Sequence, residues 1–282
     1  MARMTKRRRV SRRYAAGPAR ERVDVLAGEE PLEIRIHGES LAVMMRTPGD
    51  DFDLVAGLLL AEGIITRHSQ IAAMDYRSAI GADGQRDYNV VDVALTDGAL
   101  PPAESTHRHI YTSSSCGICG TSSLEGVRKE PAFDVVADDA ATPLDHLLEL
   151  PDRLRADQSL FGRTGGAHAA GLFVPTAAGQ RPELVCLRED VGRHNAVDKV
   201  VGWALRGELL PPRGAVLQVS GRASFELVQK AAMAGIPTLS AVSAPSALAV
   251  ELGDELGLTV IGFNRGQHLN IYCHPHRVAE GS

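Results

Sequence analysis

Aromatic residues, cysteines and long apolar runs are all scarce in this chain, and each shortage removes a class of protein. Aromatics make up 4% of the 282 residues, with a single Trp, which argues against a carbohydrate-binding or aromatic-cage protein. Four cysteines are too few for a disulfide framework at this length, and Cys186 and Cys273 stand alone, expected within or beside strands and reduced. The longest apolar stretch, Leu54 to Ala61, falls far short of the roughly 20 residues that cross a bilayer. The first residues carry positive charge without an apolar segment behind it. Ser11-Arg12-Arg13 has the form of a twin-arginine signal, but Tyr14-Ala15-Ala16-Gly17-Pro18 cannot supply the segment that must follow. A cytoplasmic protein without membrane contact is expected. With 44% hydrophobic residues, the chain can bury one large core or two modest ones, and two globular units are expected.

Charge is unevenly spread. Residues 1–22 hold nine Lys/Arg and one Glu, a net of +8, which leaves −13 for the other 260 residues to reach the chain's −5. Lys6-Arg7-Arg8-Arg9 and Arg12-Arg13 predict a disordered, solvated basic tail over 1–22. No aromatic interleaving, zinc finger or RNA-recognition signature accompanies it, so nucleic acid is not an expected partner.

Residues 23–110 predict a small α+β unit. Leu32–Ile36 and Leu41–Met45 flank a turn at His37-Gly38-Glu39-Ser40; Asp50 or Asp51 caps a helix through Glu62; Asn89–Leu95 is a further strand. The remainder, 111–282, alternates strand and helix. Strands are expected at 170–174, 183–187, 215–219, 238–242 and 258–263, with helices at 195–206, 224–234 and 245–256, the pattern of an α/β sheet with largely parallel strands.

Ligands of such sheets bind at the carboxyl ends of strands, and four polar junctions lie there in this sequence: Glu189 to Asn195, Ser220 to Ser224, Ser243 to Ser246 and Asn264 to His268. Helix starts with free N–H groups, together with Arg193, Arg222 and Arg265, would make one edge a phosphate or nucleotide site. His194, Ser220 and Gly221 belong to the same junctions. A further loop, Phe161 to His168, is either a second anion-binding or thiol-activating element, or an ordinary turn ending in a hydrogen-bonded histidine.

Cys116 and Cys119 are the remaining chemical feature, a C-x-x-C pair within Ser113-Ser114-Ser115-Cys116-Gly117-Ile118-Cys119-Gly120. The spacing suits a disulfide, a shared metal, or sulfur relay between two thiols. Zinc would require partners from Cys186, Cys273, His274 and His276, with no second C-x-x-C to supply them. A zinc nucleobase deaminase would show H-x-E and then P-C-x-x-C; His37-Gly38-Glu39 sits in a hairpin turn and Ser115 precedes Cys116. A thioredoxin-like pair would open a helix after the first strand of a βαβ unit, whereas this pair follows a Ser/Thr run in mid-chain. A thiolate here could also accept sulfur as a persulfide and pass it on.

Five strings together resemble the FdhD family of formate dehydrogenase accessory sulfurtransferases: Thr112 to Gly120, Arg163 to His168, Arg188 to Lys199, Ser220-Gly221-Arg222 and Ser243-Ala244-Pro245-Ser246. The similarity runs in consistent order from about residue 25 to Tyr272, and Arg188-Glu189-Asp190-Val191-Gly192-Arg193-His194-Asn195 is its most specific part. The resemblance implies a protein that takes sulfur from a cysteine desulfurase and delivers it to the molybdenum bis(guanine dinucleotide) cofactor of formate dehydrogenase. It implies a C-terminal α/β domain like cytidine deaminase without the deaminase zinc, and a homodimer. It also makes Cys116 the persulfide carrier, Cys119 a relay or resolving thiol, and Phe263-Asn264-Arg265-Gly266-Gln267-His268 the cofactor-binding stretch. Cofactor binding without persulfide chemistry, as a chaperone, is the alternative.

Overall fold

A computed structural model of the chain describes residues 4–77, 87–97, 99, 110–111, 128–177 and 179–280. In chain order the elements are β1 (Thr5–Arg12), β2 (Arg20–Ala27), β3 (Glu30–Ile36), β4 (Glu39–Arg46), α1 (Asp51–Ala61), β5 (Ile71–Tyr76), β6 (Val90–Leu95), β7 (Ile110–Tyr111) and β8 (Thr142–Pro143). There follow α2 (Leu144–Asp157), α3 (Ser159–Thr164), β9 (His168–Val174), β10 (Glu183–Asp190), α4 (Arg193–Arg206), β11 (Val216–Val219) and α5 (Phe225–Met233). The last are β12 (Thr238–Ala241), α6 (Ala247–Leu256), β13 (Thr259–Arg265), β14 (His268–Cys273) and β15 (Val278–Ala279).

Two sheets dominate this α/β protein. The first, ordered β5-β6-β3-β4-β7, turns Leu32, Ile34 and Ile36 of β3 inward at alternate positions, as the period of a strand with one buried face requires. The second is ordered β10-β9-β11-β12-β13-β14. Its centre, β11-β12-β13, is parallel, while β9 and β14 run the other way. Every residue of β11 and β12 is buried, because helices cover both faces. Leu147, Leu150 and Leu154 of α2 pack on one face with Phe173, Val216 and Ile261. On the other, α4 and α5 build the larger core that continues through α1 into β3, β4 and β6.

Thus one core joins the two sheets, and α1 is its hinge-pin. Nearly the whole of this helix is buried, which suits its apolar run from Leu54 to Ala61, while Asp51 and Asp53 in its first turn are paired with arginines. It crosses α4 where two glycines face the opposing backbones: a Cβ on Gly57 would collide with the Asp198 carbonyl, and one on Gly202 with the Asp53 carbonyl. Gly is required at both positions by the closeness of the helix axes.

The basic segment departs from expectation. Residues 5–12 are not a disordered tail; β1 and β2 pair antiparallel in full register, from Thr5 opposite Ala27 to Arg12 opposite Arg20. A boundary at residue 22 therefore cuts through a strand. Val23 and Val25 supply strand-favouring side chains, Asp24 stands opposite Arg8 and pairs with Arg22 at 2.7 Å, and Gly28 donates to the Met4 carbonyl to close the base. The long run of cations in β1 conceals the alternation that would mark a strand, since every Arg there can extend into solvent.

Gly202→Ala is expected to cost about 3 kcal/mol through overpacking against a backbone that cannot yield, read from urea unfolding. Gly162→Ala, with open space around it inside α3, is expected to leave the unfolding free energy unchanged or raise it by up to about 1 kcal/mol, since Ala favours the helix.

Candidate functional site

Strand β9 is antiparallel to both β10 and β11, so β10, β11, β12 and β13 all point the same way. Their carboxyl ends, Asp190, Val219, Ala241 and Arg265, share one edge with the amino ends of β9 and β14. A cavity of about 500 Å³ opens there. Val191, Ser220, Val242, Arg265 and Gly266 line it from the sheet edge, His168 and Gly165–Ala167 from the loop before β9, and Asp152, Arg155 and Phe161 from α2 and α3. Arg265 is exposed and Gly266 has φ +67° with open space around its Cα, so a ligand can approach the backbone closely.

The string Arg188–Asn195 delivers this edge and is itself mostly consumed in holding it. Arg188 donates to Asp53 at 2.9 Å, tying β10 to α1. The Glu189 carboxylate accepts from the Leu160 and Phe161 amides, each at 2.7 Å, meeting donors that the first turn of α3 leaves free and fixing Phe161 at the cavity wall. Asp190, fully buried, accepts from the Thr47 amide at 3.0 Å, from the Gly192 amide at 2.8 Å and from Asn195 at 3.0 Å, and pairs with Lys199 at 2.8 Å. Lys199 in turn donates to the Thr47 carbonyl, and Asn195 to the Met45 carbonyl. Two buried charges are tolerable here because each is paired and the remaining lone pairs and protons are satisfied.

Arg193 and His194 face the other way. A Cβ on Gly221 would lie 3.6 Å from His168 Nδ1 and 3.8 Å from Arg193 Cδ, so the glycine lets both side chains close over the end of β11. Burial, the Arg193 guanidinium and His194 hold the His168 imidazole below its ordinary pKa, against the pull of Asp190; it is neutral at pH 7. Arg193 Nε is buried and has no hydrogen-bond partner among the described residues, an unmet donor on a permanent cation. His194 Nε2 lies 3.2 Å from Ser224 Oγ and 3.6 Å from a Glu226 carboxylate oxygen. Burial works to raise the Glu226 pKa, but hydrogen bonds from His194, its own amide and Ser224 pull it to about 2.

The family model described as FdhD/NarQ matches residues 27–279. The chain belongs to the FdhD/NarQ family. It is 51% identical to the "Sulfur carrier protein FdhD" of Streptomyces avermitilis, over 99% of this chain and 97% of that one. The proteins of the same name from Mycobacterium tuberculosis and Sulfolobus acidocaldarius are 49% and 40% identical, over 97% and 90% of this chain and 98% and 91% of theirs. A crystal structure from Desulfotalea psychrophila, of a candidate formate dehydrogenase accessory protein, superposes with a TM-score of 0.72 at 22% identity, covering 98% of this chain and all of that one; it shares the fold.

Within this FdhD/NarQ chain the residues singled out from sequence separate. Ser220, Arg265 and Gly266 line the cavity. Arg193 and Gly221 lie directly behind His168. Asn264 is sealed in the core, its amide donating to the Leu147 carbonyl and Ser240, and so anchors α2 to β13 instead of meeting a ligand. Phe263 is partly buried with φ +51°, and Arg222, Gln267 and His268 are exposed away from the cavity lining. Cys116 and Cys119 lie outside the described residues. Cys186 and Cys273 occupy the two outermost strands of the six-stranded sheet, roughly 24 Å apart at the usual strand spacing, and cannot share one metal ion. Burial pushes the Cys186 thiol up to about 12.

Sequence reading missed Asp152 and Arg155 because it assigned no helix between 142 and 164, and it read Phe161 as the start of a loop where the structure has α3. The signal was present in Leu147, Leu150 and Leu154, spaced for one helical face, but Pro151 inside the helix interrupts it. Membrane segments are another matter: no helix among the described residues is long and apolar enough to cross a bilayer.

Because the Glu226 pKa is lowered on folding, its contribution is fully present above pH about 4.5 and is lost as pH falls toward 2. Acid unfolding followed by circular dichroism should therefore show a steeper loss of stability over that window for the wild type than for Glu226→Gln.

Proposed function

We propose that this chain is a sulfur carrier for formate dehydrogenase maturation, accepting persulfide sulfur from a cysteine desulfurase at Cys116 and delivering it to the molybdenum bis(guanine dinucleotide) cofactor. The observation that carries the reading is the cavity at the shared strand edge, with Arg265, Gly266, Ser220 and His168 converging on it. A dinucleotide is a polyanion with planar bases, and the cavity's exposed Arg265 and open glycine backbone suit such a ligand. The names of the Streptomyces and Mycobacterium relatives support sulfur carriage, and that of the Desulfotalea protein supports a formate dehydrogenase client.

The chemistry assigns work to both thiols. The Cys116 thiolate attacks the outer sulfur of the donor's cysteine persulfide; that S–S bond breaks, the donor cysteine leaves as thiolate, and Cys116 carries the sulfur as its own persulfide. Attack by Cys119 on the inner sulfur then forms a Cys116–Cys119 disulfide and releases the outer sulfur as hydrosulfide, the oxidation state an acceptor metal takes up. A cellular dithiol reductant restores the pair for the next cycle. Arg265 and the cavity walls bind and orient the acceptor, while burial and the nearby Arg193 guanidinium keep His168 at the cavity wall in its neutral form.

Incubation with a cysteine desulfurase and L-cysteine should add one sulfur to the intact mass, removable by reductant and absent in Cys116→Ala. In Cys119→Ala the adduct should still form but persist, with hydrosulfide release slowed at least about tenfold, as befits loss of a resolving nucleophile. An adduct indifferent to Cys116→Ala would defeat the assignment.

A further inference from the structure

The β1–β2 hairpin stands apart from both large sheets and carries the densest run of cations in the chain, Lys6-Arg7-Arg8-Arg9. It is a sheet of its own, β1 pairing with β2 alone among the described residues. Each strand is eight residues long, about 26 Å when extended. Its base rests beside the cavity. Arg163 of α3 donates to Thr5 Oγ1 at 3.3 Å, and a Cβ on Gly166, which lines the cavity, would lie 3.9 Å from the Ala27 Cβ. From there residues 11–23 are all exposed, so the hairpin is an arm that springs from the cavity rim into solvent.

Register separates the two faces of this arm. Residues directly opposite share a face, so Lys6, Arg8, Val10 and Arg12 lie with Leu26, Asp24, Arg22 and Arg20, five cations against one carboxylate. Thr5 and Ala27, which touch the body, belong to the other face with Arg7, Arg9, Val23 and Val25. Arg8, Arg12 and Arg20 are exposed and have no ion-pair partner among the described residues. Arg12 stands directly opposite Arg20, a like-charge pair that weakens a ribbon already marginal with two strands. Carboxylates brought to this face would offset the repulsion, and its length suits a macromolecule better than a small anion. Asp24 and the exposed Leu26 sit among the cations. A carboxylate there repels a phosphate backbone, whereas a protein face can match acid, base and apolar groups together.

We propose that the outward face of the β1–β2 arm docks an acidic face of the formate dehydrogenase protein that receives the cofactor, holding that protein over the cavity. The inference rests on the sulfur-carrier reading and adds the surface that engages the client. The client, and not the sulfur donor, is the occupant because the arm adjoins the cavity assigned to the acceptor. Attraction between the arm and an acidic face speeds encounter and fixes orientation. Arg8, Arg12 and Arg20 are docking residues and take no part in the persulfide steps.

Biolayer interferometry of the full-length chain against the purified apo-formate dehydrogenase of the same organism tests it. Arg12→Glu should weaken binding about tenfold at low salt, and the difference should shrink at about 0.5 M NaCl as the charges are screened. Arg9→Glu, the same charge change on the other face, should weaken it less than about threefold. Because Arg12→Glu replaces a like-charge pair opposite Arg20 with a complementary one, the thermal midpoint should hold or rise, which separates lost docking from a lost arm. Persulfide loading of Arg12→Glu by a desulfurase and L-cysteine should match the wild type. Apoenzyme binding that tolerates Arg12→Glu, or that falls equally with Arg9→Glu, overturns the assignment of this face. A labelled DNA duplex that is released by Arg12→Glu while apoenzyme binding persists gives the arm to nucleic acid instead. A wild type that does not bind the apoenzyme overturns the docking, whereas the sulfur-carrier reading stands or falls separately on the Cys116 adduct.

Discussion

The crossing of α1 and α4 sets the geometry of everything else. Two glycines allow the helices to meet backbone to backbone, and this close approach is what carries one continuous core from the five-stranded sheet to the six-stranded sheet. Around the crossing, buried charges reinforce it: Asp53 of α1 receives Arg188 and Arg206, and Asp198 of α4 receives Lys230. Helix α4 begins at Arg193, on the sheet edge where the cavity opens. Its position there is a consequence of where it is pinned against α1, so the apolar crossing and the polar edge form one mechanical unit.

Glu189 and Asp190 show how that unit is joined to the cavity. The first carboxylate sets the start of α3 and with it the aromatic wall; the second holds the loop at Thr47 against the end of β10. Both draw their strength from low dielectric surroundings and complete pairing, a condition that also makes them intolerant of partial loss. The cavity is thus rigid on its sheet side and on its helical wall.

Much of this was readable from the sequence where a single rule governed each stretch. The strands and helices of the C-terminal sheet follow from alternation and caps, and the convergence of polar junctions on one edge follows from their parallel direction. Sequence reading failed where two rules competed. Pro151 masked the periodicity of α2, and the cations of residues 6–9 masked strand pairing in β1, which depends on partner residues eight or more positions away. The role of Arg188–Asn195 was legible only in part: the string marks the site, but its length does not say that Arg188, Glu189, Asp190 and Asn195 turn inward. Asn264 misleads for the same reason, since a polar residue beside Arg265 reads as a ligand contact when it is a core anchor.

That double character of Arg188–Asn195 has a genetic consequence. Alleles altered at Glu189, Asp190 or Asn195 would behave as conditional, temperature-sensitive lesions, lowering the amount of protein present and recoverable by chaperones or by second-site changes that tighten the core. Alleles at Arg193 would leave abundance untouched and resist such suppression. Neighbouring codons in one short string would therefore fall into separate suppressor classes, and counting all of them as functional-site mutations would overstate the size of the ligand contact.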